Sequence, residues 1–198
     1  YPDTIQAMPH RYKFVLWDFD GTLADSLGHA LPVYNQLADQ HGFKPVDDPE
    51  HVRGMTSHQF LKKHGIPAWK IPMLFRVFLA EFRDNLNQIP VHHGIIDSVN
   101  ELAAAGVRQA IVSSNDATNI RRWLSLHDIE GHFEAVVGYK RLFGKENPIR
   151  RQVNAVDVPP QQVIYVGDEV RDIEAGRKAG IEVAAVTWGL NSGALLKR

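Results

Sequence analysis

Hydrophobic positions along the chain follow two rhythms. Five short apolar runs, rich in β-branched and aromatic residues and bounded by turn formers, carry the signature of buried strands: Tyr12 to Trp17, Val107 to Val112, Ala135 to Val137, Val163 to Val166 and Val183 to Val186. Between them apolar residues recur at helical spacing, as at Ile96, Val99, Leu102 and Ala103, and again from Ile173 to Ala179. Gly106 and Gly180 stand just past these two segments, where a helix end favours a left-handed residue. The stretch AAAG-VRQAIV is echoed by RKAG-IEVAAV, a helix, a glycine and a strand each time. This order predicts right-handed βαβ units of one parallel sheet, so the expected fold class is α/β.

From about Ala24 to Ile89 strand-like runs vanish and helical spacing dominates. We therefore expect a core formed by residues 1–23 and 90–198, with residues 24–89 as a small helical insert after the first strand. The stripe Leu74, Phe75, Phe78, Leu79 and Phe82 reads as the core of that insert.

Composition narrows the classes of function. A chain of 198 residues with 44% apolar content can bury one core and a small second module. Its 22 basic and 23 acidic residues give a net charge of −1, which provides no basic stripe for nucleic acid. Cysteine is absent, which removes thiolate chemistry and suits a cytosolic protein. No apolar run approaches the roughly 18 residues of a membrane helix, and the polar start Tyr1-Pro2-Asp3-Thr4 lacks the plan of a signal peptide. The expectation is a cytoplasmic protein, monomer or homodimer, whose partner is a small metabolite.

Ligands of open parallel sheets bind at the carboxyl ends of the strands. Here those ends carry Asp18 and Asp20, then Ser113-Ser114-Asn115, then Asp168 with Asp172, while Lys145 lies in a connecting segment. Singly, each reads as a cap, a turn former or a solvated lysine. Together they form a chemically complete set. Carboxylates at Asp18 and Asp168, with a backbone carbonyl near Asp20, offer hard oxygen ligands for magnesium. A carboxylate can attack phosphorus to give an acyl phosphate, and Asp20, two residues along an extended chain, can serve as acid and then base. Ser113, the N–H groups after it and Lys145 supply hydrogen bonds and charge for a phosphoryl group. No GxxxxGK[ST] loop is present.

At these residues the chain resembles the haloacid dehalogenase superfamily, especially its phosphoglycolate phosphatase-like and β-phosphoglucomutase-like members. DFDGTLADS (Asp18 to Ser26), AIVSSN, Lys145 with Pro148, and YVGDEVRDIEAG (Tyr165 to Gly176) match its four motifs. The resemblance implies a Rossmann-like doubly wound parallel sheet with an inserted α-helical cap. It also implies a magnesium-dependent phosphatase acting through an aspartyl-phosphate on a small organic phosphate monoester such as phosphoglycolate. Asp18 would be nucleophile, Asp20 acid and base, and Ser113, Ser114, Asn115 and Lys145 phosphate ligands. The metal would draw on Asp18, Asp20 and Asp168, with Asp172 a further ligand or an orienter of Lys145. The third motif commonly reads KPxP and here is Lys145-Glu146-Asn147-Pro148, which leaves the lysine on a less rigid segment. The chain also ends soon after Trp188 to Asn191, where relatives continue.

Asp20 separates this chain from dehalogenases, whose halide leaving group needs no proton. Arg53-Gly54 occupies the place of a cap RG motif, so Arg53 is either a substrate clamp or a structural arginine; His58 and Lys62 could share its face. His92 and His93 read as surface or hinge residues, and Arg121-Arg122 as a solvated face. Two rival functions use the same fold, a sugar phosphomutase and a non-catalytic regulatory protein.

Overall fold

A computed structural model describes residues 11–197; the polar start from Tyr1 to Thr4 lies outside them. The predicted strands form as β1 (Phe14–Trp17), β2 (Arg108–Ser113), β3 (Ala135–Gly138), β4 (Val163–Gly167) and β5 (Glu182–Ala185). All pairings are parallel, in the order β3-β2-β1-β4-β5. Chain order therefore reverses between β1 and β4, and the crevice at that switch point is where such sheets bind ligands. Residues just past these two strands are Asp18 and Asp168.

Alternation along β1 shows why the sheet is covered on both faces. Val15 and Trp17 pack on one side with α5 (Ile95–Ala104) and α6 (Ala117–Leu126), through Val99, Ile120 and Trp123. Phe14 and Leu16 pack on the other with α7 (Glu146–Ala155) and α8 (Val170–Ala179), through Ile149, Val153 and Ala175. Side chains alternate with a period of two, so a strand apolar at every position needs two apolar partners. Three buried polar side chains against the first of these faces are hydrogen-bonded. Trp17 Nε1 donates to Gln109 Oε1 at 3.0 Å, Gln109 Nε2 to the Val99 carbonyl at 3.0 Å, and Trp123 Nε1 to the Ile89 carbonyl at 2.8 Å.

The insert contains α1 (Leu27–His41), α2 (Pro49–Arg53), α3 (Ser57–Lys63) and α4 (Ile71–Asp84). Its own core gathers Tyr34, Leu37, Phe43, Val52, Ile66 and Leu74. The aromatic stripe on α4 does not all enter that core, which corrects the sequence reading. Leu74 does, but Phe82 joins Leu86 and Ile89 in the sheet-side core, edge-on to Phe19 at 5.5 Å. Phe75, Phe78 and Leu79 are only partly buried and wall the space between the two bodies. The physical reason is that α4 lies between insert and sheet, so one apolar face must serve both.

Two joints tie the insert to the core. At the first, Ala24 pairs with Val91, Asp25 N–H donates to the Pro90 carbonyl at 2.9 Å, and His92 N–H to the Leu23 carbonyl at 3.0 Å. At the second, Ser57 Oγ donates to Glu169 Oε2 at 2.8 Å, Asn191 Nδ2 to the Met55 carbonyl at 3.0 Å, and Ser192 N–H to the Arg53 carbonyl at 2.8 Å.

Candidate active site

The site begins with β1. Asp18 N–H donates to the Val166 carbonyl at 2.7 Å, which extends the parallel ladder by one residue and fixes where the carboxylate starts. Its Oδ1 then accepts from Phe19 N–H at 2.7 Å and its Oδ2 from Lys145 Nζ at 2.5 Å. Lys145 also donates to Asp172 Oδ1 at 2.6 Å, and Asp172 Oδ2 accepts from the N–H groups of Asp168 and Glu169 at 3.2 and 2.9 Å. Asp172 thus orients Lys145 and clamps the β4 loop with its two oxygens. Lys145 is no loop residue: it is the N-cap of α7, and two carboxylates hold it despite the missing proline.

Asp168 is placed by groups that the motifs did not single out. Thr22 Oγ1 donates to its Oδ1 at 3.0 Å and Leu190 N–H to its Oδ2 at 2.7 Å. Gly21, at φ 74°, and Gly189 press against it so closely that an added Cβ on either would overlap the Asp168 side chain. Thr22 and Gly21 lie within the first motif and were findable there; Gly189 and Leu190 arrive by a loop whose return to Asp168 leaves no local signal.

Asp20 Oδ2 accepts from Asn115 Nδ2 at 3.0 Å, which links the β1 and β2 loops. Ser113 is fully buried and its Oγ accepts from Asn115 N–H at 3.2 Å, while Ser114 and Asn115 line the cavity above the carboxylates. The helix expected to present its N–H groups after Ser113 starts later, at Ala117, and its N-cap Asp116 takes Thr118 N–H at 2.8 Å. Two N–H groups of the turn are taken within it, that of Asn115 by Ser113 Oγ and that of Asp116 by Asn115 Oδ1 at 2.7 Å. Arg53 stands apart: it donates to the Thr187 carbonyl at 2.7 Å and pairs with Glu50 at 3.4 Å, and it lines no cavity at the site. His58 lies tilted against Phe143, Lys62 is exposed, Arg121 pairs with Glu130 at the surface, and His92 sits at the insert joint.

Electrostatics follow from burial. Removal from water raises the Asp18 carboxyl to about 7, against the pull of Lys145, and lifts Asp168 well above its ordinary range, with Glu169 and Asp172 adding to it. Burial also raises Asp20, offset in part by its hydrogen bond from Asn115. Burial alone would raise Asp172, but Lys145 and Arg171 hold it below the usual carboxylate range. Lys145 stays charged because Asp172 and Asp18 outweigh its desolvation.

Oxygens of Asp18, Asp168 and Asp172 come within 4.8 Å of one another. Three buried carboxylates face one lysine, and buried charge needs a partner. The donor set and this surplus negative charge fit a hard divalent cation.

The haloacid dehalogenase-like hydrolase profile matches residues 15–186, nearly the whole α/β core together with the insert. The chain belongs to that family. Among its relatives are a phosphoglycolate phosphatase from Synechococcus elongatus, 30% identical over 89% of this chain and 84% of that one, and a pyrophosphatase from Bacillus anthracis, 26% identical over 92% and 87%. A crystal structure of a predicted phosphatase from Clostridium acetobutylicum superposes with a TM-score of 0.78 at 21% identity, covering 94% of this chain and 89% of its own, and so shares the fold.

Proposed function

We propose that the protein is a magnesium-dependent phosphoric monoester hydrolase that works through a phosphorylated Asp18. The observation that carries this reading is the double anchoring of the Asp18 carboxylate by Phe19 N–H and Lys145, beside an Asp20 held on a different loop partner. Related chains named as phosphatases support it. Asp18 and Asp168 would hold the metal, which supplies positive charge between carboxylate and phosphate.

An Asp18 oxygen attacks phosphorus and the ester P–O bond breaks. Asp20, whose enclosure shifts it toward the protonated form, delivers a proton to the departing alkoxide oxygen. Asp20, now a carboxylate, takes a proton from water as that water attacks the acyl phosphate. Inorganic phosphate leaves and the Asp18 carboxylate is restored. Lys145 adds fixed charge at the attacking oxygen throughout, and Ser114 and Asn115, which line the cavity, supply polar contacts to the phosphoryl oxygens. The insert, latched over the cavity, keeps bulk water out of the first step.

Phosphate release from a panel of esters with magnesium tests this, comparing the native chain with Asp18→Asn and Asp20→Asn. Loss in both variants, by about a hundredfold or more, is expected. Turnover surviving in Asp18→Asn would sink the mechanism, and phosphoryl return to a sugar without phosphate release would make the protein a mutase.

A further inference from the structure

The segment before Lys145 has few attachments of its own. The proline that commonly follows the lysine is replaced by Glu146, so the step out of the lysine is not stiffened. Lys140 and Gly144, which bound the tip of the segment, take positive φ values of 50° and 92°. Among the described residues, the Leu142 carbonyl is the one backbone group of residues 140–143 with a hydrogen-bond partner, and that partner is Arg171 Nη1 at 2.6 Å. Asp18 and Asp172 hold the Lys145 ammonium, whereas Arg171 holds the chain that delivers it.

Arg171 also reaches the insert. Its Nη2 donates to Glu169 Oε1 at 2.5 Å, and the other oxygen of that carboxylate accepts from Ser57 Oγ at 2.8 Å. His58, next to Ser57 in α3, lies against Phe143, next to Leu142, with ring centroids 4.6 Å apart. Consecutive residues of the insert thus touch both segments that Arg171 joins, and the contacts close a ring through Ser57, Glu169, Arg171, Leu142–Phe143 and His58. The ring bears on the lysine from a second side, because Glu169 N–H donates to Asp172 Oδ2 at 2.9 Å and Asp172 Oδ1 accepts from Lys145. A guanidinium suits this place, since its rigid fork of donors spans two acceptors that a lone ammonium does not span in one geometry.

We propose that Arg171 is a positioning residue for phosphoryl transfer: in place of the missing proline it fixes the segment before Lys145, and it does so with the insert seated on Glu169 and Phe143. The link to turnover rests on the phosphatase reading, whereas the ring itself does not.

The test joins kinetics to amide exchange. Arg171→Lys keeps the charge beside Glu169 and Asp172 and loses the fork. It should lower kcat about tenfold, by one factor for methyl phosphate, phenyl phosphate and phosphoglycolate alike, because Lys145 acts on the phosphoryl group common to all three. Amide exchange should quicken about tenfold at residues 140–146 and 55–58, with β1 unaffected. In Arg171→Ala, guanidinium at millimolar concentration should restore kcat saturably, and urea, of the same shape but uncharged, should not. A residue that only supports folding would lower the melting temperature and leave kcat of the folded chain intact. An unchanged kcat in Arg171→Lys, a loss that varies with the leaving group, or faster exchange at only one of the two segments overturns the proposal. Phe143→Ser opens the same ring at a side chain 39% exposed, so it carries the test even if the Arg171 variants do not fold: faster exchange at residues 140–146 and a lower kcat are expected, and native values for both overturn the proposal. A native chain that releases no phosphate through Asp18 overturns the phosphatase reading, and the exchange measurement then decides the ring by itself.

Discussion

Lys145 shows how much one side chain carries at this site. Its ammonium is almost wholly removed from water and divides its donors between Asp18 and Asp172, so it is at once a counter-ion and a spacer. Truncating one partner of a buried ionic cluster leaves the others uncompensated, typically at about 3–5 kcal/mol. Lys145→Met should therefore lower unfolding stability by about that amount in urea, as well as abolish phosphate release; an unchanged midpoint would show that the lysine is not the counter-ion. Gly189 acts through space alone. Gly189→Ala forces its new methyl into Asp168, which we propose as a metal ligand, and displacing a supporting contact of such a ligand commonly costs about ten- to a hundredfold in metal affinity, which magnesium titration by calorimetry would read. Asp18, Asp20 and Asp168 were legible as candidates because their chemistry is complementary and they fall at strand ends, and the structure brings Lys145, the N-cap of α7, against Asp18. Thr22, Leu190 and the Arg171–Glu169 pair escaped notice because their roles depend on which loops meet, which no spacing along the chain records.

Elements were legible where a pattern has one physical cause. Every strand formed where an apolar run stood between turn residues, with ends displaced by a residue or two: β1 begins at Phe14 and β5 ends at Ala185. The α4 stripe misled because two causes overlap on one helix, packing within the insert and walling the cavity. At α6, the cap and an ion pair share one side chain. Asp116 caps the helix and also meets Lys140 at 2.5 Å, and these contacts, the Lys140 hydrogen bond first, hold its carboxyl below the ordinary range. A depressed carboxyl stabilises above its unfolded pKa and loses that contribution as pH falls through the folded one. Asp116→Asn keeps a capping oxygen and loses the ion pair. Thermal melts should show it less stable by under about 1 kcal/mol at pH 7, since the pair is partly exposed, with the difference shrinking as pH falls below the ordinary carboxylate range.

Across the whole molecule, the insert is held by a covalent joint on one side and a polar latch on the other. Ser57 reaches Glu169, the neighbour of Asp168, so closure of the insert is felt next to the buried acidic cluster. Ser57→Ala should weaken the latch by about 1 kcal/mol and speed amide exchange at residues 53–57 and 187–192 about fivefold, with the sheet unaffected. Equal acceleration in β1 would mean that the latch supports the core itself. The joint has a different meaning for ancestry. Because Ala24 pairs with Val91, the chain leaves and re-enters the core at one point, and the sheet order is indifferent to what lies between. A gene segment coding for this stretch can then be exchanged in one recombination event while the chemistry persists. Phe82, Leu86 and Ile89 set where the cut must fall, since they fill the core; the transferable cassette ends before Phe82, some turns earlier than the boundary that helix content suggests.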